Sequence, residues 1–310
     1  MDDNNNNNNN KQLLIVSCAF GEKFKKVYPA PLSENCFFFS NNDAIKDDSV
    51  AKGWNFIKLD VHLSKDYLES SLQSKYIKFL QFLHDYPNFK EYKQILYFDH
   101  KIHMKKDDVY KLLDLYSESG ERFNIVIRKH EQNRIGVFTE IEDSLQFDKN
   151  TQNDRYTRNM DKTVDFVNDN LEKDDIEHIE ICNTGLMLYS DYDEIMPFLD
   201  EVYNVCIMLQ QPQCQIIWSV VSKKYTDKIK KIEFREVINP VWTEPFSVND
   251  EKNNNKFFYL CAGLLFLLLI MYLSFFYFSS FKSFLFTHLK LPDTISNLRW
   301  YKPLKNKNKP

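Results

Sequence analysis

From Phe257 to Phe281 no residue carries a charge. The run is dense in Leu, Phe and Tyr and has no polar face to set against water. As a helix it would rise about 1.5 Å per residue and reach about 37 Å, longer than the roughly 30 Å hydrocarbon core of a bilayer. Asn253, Asn254, Asn255 and Lys256 form a polar boundary before it, and Tyr259, Tyr272 and Tyr277 suit interfacial anchoring. The run is expected to be a single transmembrane helix, and it divides the chain. Residues 1–11 are expected to form a disordered Asn-rich leader, 12–236 a folded α/β domain, 237–256 a polar linker, 257–281 the membrane helix and 282–310 a basic tail.

Two arguments about sidedness conflict. The tail carries Lys282, Lys290, Arg299, Lys302, Lys305, Lys307 and Lys309 against Asp293, which places it in the cytosol and the domain in a lumen. Yet Asp2 to Asn10 are two acids and seven asparagines, with neither the basic nor the apolar region of a signal peptide. The membrane signal comes last, and no Asn-x-Ser/Thr sequon occurs in an Asn-rich chain. These favour a cytosolic domain on an endomembrane, in contact with the lipid bilayer; the lumenal alternative stays open.

Composition removes several function classes. A net charge of −4 offers no electrostatic case for nucleic acid. Only 6 glycines occur in 310 residues, and no glycine-rich phosphate loop is present. Cys18, Cys36, Cys182, Cys206, Cys214 and Cys261 form no CxxC pair, so a zinc site is not expected and reduced thiols are.

The domain alternates strand-like and helix-like segments. Leu13 to Val16, Cys36 to Phe39, Trp54 to Leu59, Ile95 to Phe98, Phe123 to Ile127 and Leu186 to Tyr189 read as strands. Leu72, Tyr76, Phe79, Leu80 and Leu83 predict one amphipathic helix, stopped by Pro87. Asp107 is the expected N-cap of a helix running through Tyr116 to Gly120. Further helices are expected near Asp143, over 159–171, and from Ile195 to about Tyr225 with a break near Pro212. This alternation predicts a mostly parallel sheet, which binds ligands at the carboxyl ends of its strands. Asp99, directly after a strand, is then the most informative acid.

The segments Leu14 to Gly21, Ser74-Lys75-Tyr76-Ile77-Lys78, Tyr97-Phe98-Asp99-His100-Lys101-Ile102, His130 with Arg134, Phe138-Thr139-Glu140, Asn183-Thr184-Gly185 and Gln215-Ile216-Ile217-Trp218 carry a resemblance. Taken together, they resemble the glycosyltransferase-like family of plant mucilage-synthesis and turgor-regulation proteins. The resemblance spans roughly residues 13–234. It implies a GT-A-like (Rossmann-type) domain on the C-terminal membrane helix, transferring a sugar from a nucleotide sugar to an acceptor. Asp99, Lys101, His130, Arg134 and Lys75 would bind the donor diphosphate. Glu140 and Gln215 would be catalytic, and Asn183 and Gly185 would face the acceptor. Asp99 would hold Mn²⁺ or Mg²⁺.

The chemistry of these residue types fits such roles. A departing diphosphate needs a metal or cations, and an acceptor hydroxyl needs a base. Asp99 is followed by Lys101, not by the second acid that many GT-A enzymes carry, so Lys101 can neutralise diphosphate without a metal. Where the family has Arg-Asp before Gln215, this chain has Gln213 and Cys214. His103 and Lys105 lie in the Asp99 segment, and Arg128 accompanies His130. The lysines at 223, 224, 228, 230 and 231 can meet anionic lipid. Two other readings stand beside transfer: a degenerate membrane-tethered binding or scaffold protein, and a hydrolase of lipids or glycoconjugates.

Overall fold

The structure is a computed structural model that describes residues 12–118, 123–130, 135–233 and 272. By its contacts the chain divides into two units, Met1–Val248 and Asn249–Pro310, and the fold below belongs to the first. The Phe257–Phe281 run lies outside the described residues except for Tyr272. Among the described residues no helix is long and apolar enough to cross a membrane.

Among the described residues seven strands form one sheet. They are β1 (Leu13–Cys18), β2 (Cys36–Ser40), β3 (Asn55–Lys58), β4 (Gln94–Phe98), β5 (Ile125–Lys129), β6 (Cys182–Ser190) and β7 (Ile229–Ile232). Their order is β3-β2-β1-β4-β6-β5-β7. The neighbours β1–β2, β2–β3, β1–β4 and β5–β7 run parallel, whereas β6 is antiparallel to both β4 and β5. Six of these seven strands run the same way, as the expected mostly parallel sheet requires, and β6 alone among them runs against the rest. The edge strand β7 is missed by pattern, because Lys230 and Lys231 occupy two of its four positions. Such lysines suit an edge strand, where they discourage pairing with another chain.

Strands covered on both faces read as unbroken apolar runs. Alternate side chains then divide between two cores. Leu14, Val16, Ile95, Tyr97, Met187 and Tyr189 face one way, under α2 (Tyr67–Lys78), α3 (Phe82–Asp85), α8 (Tyr192–Met208) and α9 (Cys214–Val221). Ile15, Phe38, Leu96, Phe98, Leu186 and Leu188 face the other way, towards α4 (Lys106–Glu118) and Trp54, which follows α1 (Lys46–Ala51). A third cluster joins α5 (Val137–Thr151), α6 (Met160–Asn170) and α7 (Lys173–His178) to α9.

Three local expectations are corrected. The single helix predicted through Leu83 breaks after Lys78, because Phe79 and Leu80 both turn into the core and Leu80 takes a left-handed φ of 57°. Asp107 is not an N-cap. The α4 helix begins at Lys106, and Asp108 accepts from the Lys105 backbone N–H at 3.0 Å. The strand expected over Leu186 to Tyr189 starts earlier, at Cys182, and takes in Asn183, Thr184 and Gly185, where the register against β5 slips between Ile127 and Arg128. Such irregularities re-aim side chains at sheet edges.

The chain passes from β1 outward through β2 and β3, then returns to place β4 on the other side of β1. The loops after β1 and β4 therefore leave in opposite directions, opening a crevice at their carboxyl ends. Because β6 runs backwards, its first residues reach the same edge. So does His130, after β5, whose N–H donates to the Ile181 carbonyl at 3.2 Å.

Candidate functional site

Asp99 follows β4 at this switch point, and its N–H donates to the Gly185 carbonyl at 2.9 Å. Tyr97 and Asp99 lie two residues apart and share a face, so the Tyr97 hydroxyl donates to Asp99 Oδ1 at 2.6 Å. The same oxygen is 3.1 Å from Lys78 Nζ. The Lys78 side chain is 4% exposed and that of Asp99 22%, so a buried cation backs a carboxylate that opens to solvent. Burial works against the Asp99 charge. Lys78, Lys101 and the Tyr97 hydroxyl outweigh it and hold the carboxyl well below its ordinary range. Burial also opposes the Lys78 ammonium, but Asp99 and Cys214 outweigh it and keep it protonated above the usual lysine range.

Lys78 ends α2, and the helix break after it is what sets its ammonium beside Asp99. Lys75, one turn earlier, is 6% exposed. Its ammonium makes no hydrogen bond, ion pair or ring contact with a described residue. Its charge nevertheless acts on Asp99, Cys18, Cys206 and Cys214. Cys214 opens α9, with Sγ 4.0 Å from Lys78 Nζ and 3.3 Å from Thr184 Oγ1. Burial pushes its thiol up, but Lys75, Lys78 and the Thr184 contact prevail and draw it below the ordinary thiol value. Cys18, at the end of β1, is pushed up to about 12 by burial and by Asp99. His100 packs edge-on against Phe24 with ring centroids 4.4 Å apart. Burial draws its pKa down to about 4, so it is neutral at pH 7.

Gly185 has a specific reason to be glycine. A Cβ there would stand 2.9 Å from Asn183 Oδ1 and 3.1 Å from Asp99 Oδ2. The Asn183 side chain accepts from the Gly185 N–H at 2.9 Å, which closes the strand start around the Asp99 carboxylate.

Glu140 and Gln215, distant in sequence, do meet. Glu140 Oε1 accepts from Gln213 Nε2 at 2.7 Å and from Gln215 Nε2 at 3.2 Å, and Gln213 also donates to Ser144 Oγ at 2.8 Å. Glu140 is buried, so this amide clamp ties α5 to the first turn of α9 and thereby holds Cys214 in place. Lys101 acts electrostatically on Asp99. His130 is buried two strands from Asp99 along the same edge, about 10 Å by ordinary strand spacing. Arg128, beside it, is buried as well. Arg134 lies outside the described residues. His103 stacks on Tyr28 at 4.7 Å, and Lys105 is exposed.

Lys78, Tyr97 and Arg155 carry no role in the resemblance, although Lys78 and Tyr97 lie within its segments. Lys78 was visible as the residue one turn after Lys75, and Tyr97 as the same-face neighbour of Asp99. Nothing local marks Arg155. Its guanidinium lies over the rings of Tyr156 and Phe147, at 4.3 and 5.0 Å, and its charge acts on His100. Its Nε is buried without a hydrogen-bond partner. The later lysines are engaged within the fold. Lys224 pairs with Glu201 at 2.7 Å, Lys228 with Glu194 at 2.6 Å and Lys231 with Glu180 at 3.1 Å. Lys223 pairs with Asp175, and Lys230 donates to the Leu115 carbonyl.

The fit of a divalent cation is decided by the donor set. Such ions take several hard oxygen ligands. Asp99 is one carboxylate, and its Oδ1 already holds an ammonium and a hydroxyl. Among the described residues no three His, Cys, Asp or Glu side chains converge as metal ligands. These residues suit an anion better than the Mn²⁺ or Mg²⁺ expected at Asp99.

No protein-family model matches the chain, and no curated protein is similar to it in sequence. Solved structures are similar at a distance. Mouse xyloside xylosyltransferase 1, in its apo form, is 11% identical with a TM-score of 0.38, over 71% of this chain and 85% of that one. A 4-diphosphocytidyl-2C-methyl-D-erythritol synthase from Anaerococcus prevotii is 10% identical with a TM-score of 0.37, over 76% of this chain and 94% of that one. Glucosyl-3-phosphoglycerate synthase from Mycobacterium tuberculosis, in complex with Mn²⁺, UDP and phosphoglyceric acid, is 11% identical with a TM-score of 0.35, over 72% of this chain and 69% of that one. Similarities this distant leave the site to be read from its own side chains.

Proposed function

We propose that this chain is a glycosyltransferase-like protein that binds a nucleotide sugar at the β1/β4 switch point and transfers its sugar to an acceptor. The observation that carries the reading is the Lys78–Asp99 pair at the carboxyl edge of the sheet, with the charges of Lys75 and Lys101 acting on the same carboxylate. Departure of a nucleoside diphosphate concentrates negative charge on phosphate oxygens, and fixed cations in a crevice stabilise that charge. Asn183 and Gly185 border the carboxylate on the acceptor side. The amide clamp supports a positioning role for Glu140 and Gln215, through α9, rather than direct contact with the reactants. His130 lies far enough along the edge to meet a second part of a long ligand.

Calorimetry with UDP-glucose and other nucleotide sugars on the full-length protein tests this. Saturable binding of at least one is expected. If none binds, the chain passes to the second reading, a tethered binding or scaffold protein. That reading draws on Cys214, which stands where the resembled family carries an acid.

The proposed tether is the uncharged Phe257–Phe281 run. The full-length protein should stay with membranes through carbonate extraction, and a chain ended before Asn253 should be released. Retention of the shortened chain would sink the single-anchor reading.

A further inference from the structure

The geometry points to a diphosphate site that works on lysines in place of a divalent cation. This deepens the nucleotide-sugar reading and rests on it for the nucleotide; the anion chemistry stands on the side chains alone.

The role a metal would give Asp99 is already taken. Lys78 Nζ and the Tyr97 hydroxyl converge on Oδ1, and Oδ2 is packed against the Gly185 backbone, 3.1 Å from where a Cβ would stand. A cation arriving at this carboxylate would meet an ammonium 3.1 Å from the shared oxygen, a like charge that burial leaves poorly screened. Lys75 supplies the second, independent observation. Its side chain is 6% exposed, lies one turn from Lys78, and makes no hydrogen bond, ion pair or ring contact with a described residue. A buried ammonium is costly unless an anion compensates it. Lys101 acts on the same carboxylate, and the Arg155 Nε is buried without a hydrogen-bond partner. Lys75 is thus a buried cation that Asp99, already paired with Lys78, does not balance, and a diphosphate supplies the missing charge. In this arrangement Asp99 is not a ligand. It competes with the phosphate for Lys78.

The sign of the Asp99 effect therefore separates the two chemistries. The experiment is calorimetry on the full-length protein with inorganic pyrophosphate and with UDP-glucose, each in EDTA and in Mn²⁺. Both should bind in EDTA. Lys75→Gln should weaken both by about tenfold or more, the loss of a charge-assisted contact, with a ligand-free melting temperature no lower than the parent's, because the ammonium has no hydrogen-bond or ion-pair partner among the described residues. Asp99→Asn should tighten pyrophosphate by releasing Lys78, and pyrophosphate should raise the melting temperature of that variant more than that of the parent. Binding that needs Mn²⁺ and is lost in Asp99→Asn would overturn the lysine site while leaving the transferase reading intact. Pyrophosphate binding in EDTA with no nucleotide sugar bound would do the reverse. Should Asp99→Asn fail to fold, Lys75→Gln decides alone, and a variant that binds as the parent does overturns the proposal.

Discussion

Asp99→Asn should lower the unfolding free energy of the ligand-free, full-length protein by about 3 kcal/mol near pH 7, the low end of the range for breaking a buried ion pair. Asparagine keeps the shape and still accepts the Tyr97 hydroxyl, so the loss is one of charge. What remains is a lysine buried to 3% exposure with its carboxylate partner gone. The partial exposure of Asp99 keeps the effect at the lower end, because water already shares its charge. Replacing Lys78 by Met in the same chain should restore much of the loss, since the orphan charge goes with it.

The pH dependence has a definite sign. In the parent, the depressed Asp99 carboxyl contributes stability that is present above its unfolded pKa of about 3.9 and lost as pH falls through the folded value. The raised Lys78 contributes stability that is present below about 10.4 and lost as pH rises through its folded value. The pair is therefore flat in between. In Asp99→Asn, burial acts on Lys78 without its main partner, so the folded state binds fewer protons than the unfolded one. Its stability should rise from pH 7 towards pH 10, and the deficit should narrow. Urea titrations at several pH values check this. A deficit under about 1 kcal/mol would mean that the ammonium is solvated after all.

Trp218→Ala should cost about 3–5 kcal/mol, as expected for emptying a fully buried aromatic site. Trp218 is 1% exposed. It stacks on Phe79 with centroids 6.3 Å apart and meets Phe198 edge-on at 4.7 Å. These contacts join α9 to the break after α2 and to α8, three segments that cover the same sheet face. Trp218 also lies one turn beyond Cys214 on the same side of α9, so its loss should loosen the Lys78–Cys214 contact. Trp218→Phe, which keeps an apolar ring in the space, should cost distinctly less. Chemical denaturation of the three proteins measures the order. Equal stability of Trp218→Ala and the parent would show that α9 does not anchor this face.

Local pattern is informative wherever one element's surroundings are uniform. The runs at Leu13–Cys18, Cys36–Ser40 and Gln94–Phe98 are buried on both faces, so their apolar continuity marks them as strands without reference to the rest of the chain. Asp99 is legible for the same reason, since a charge that ends such a run must lie at the sheet edge. The pattern misleads where two environments meet. Phe79 and Leu80 continue the helical spacing of α2, yet both enter the core, and only the packed sheet decides that the helix must break there. Asn183 to Gly185 are polar or small, yet they extend β6, because Arg128 of β5 pairs with Asn183 and the Asp99 N–H donates to the Gly185 carbonyl.

The sequence by itself determined six of the seven described strands, most of the helices, the uncharged run near the C-terminus and the acid at the end of β4. Periodicity encodes which face of an element is buried, and that is a local property. The partners of Asp99 are not local. Lys78 belongs to a helix that precedes its strand, Gly185 to a strand that runs backwards beside it, and Cys214, which shares Lys78, lies 136 residues beyond that lysine. Strand order and crossover direction place them together, and neither is written in any one segment. Only the tertiary structure could decide that the carboxylate faces an ammonium rather than a metal, because an acid's chemistry is set by the charges that folding brings within a few ångströms of it.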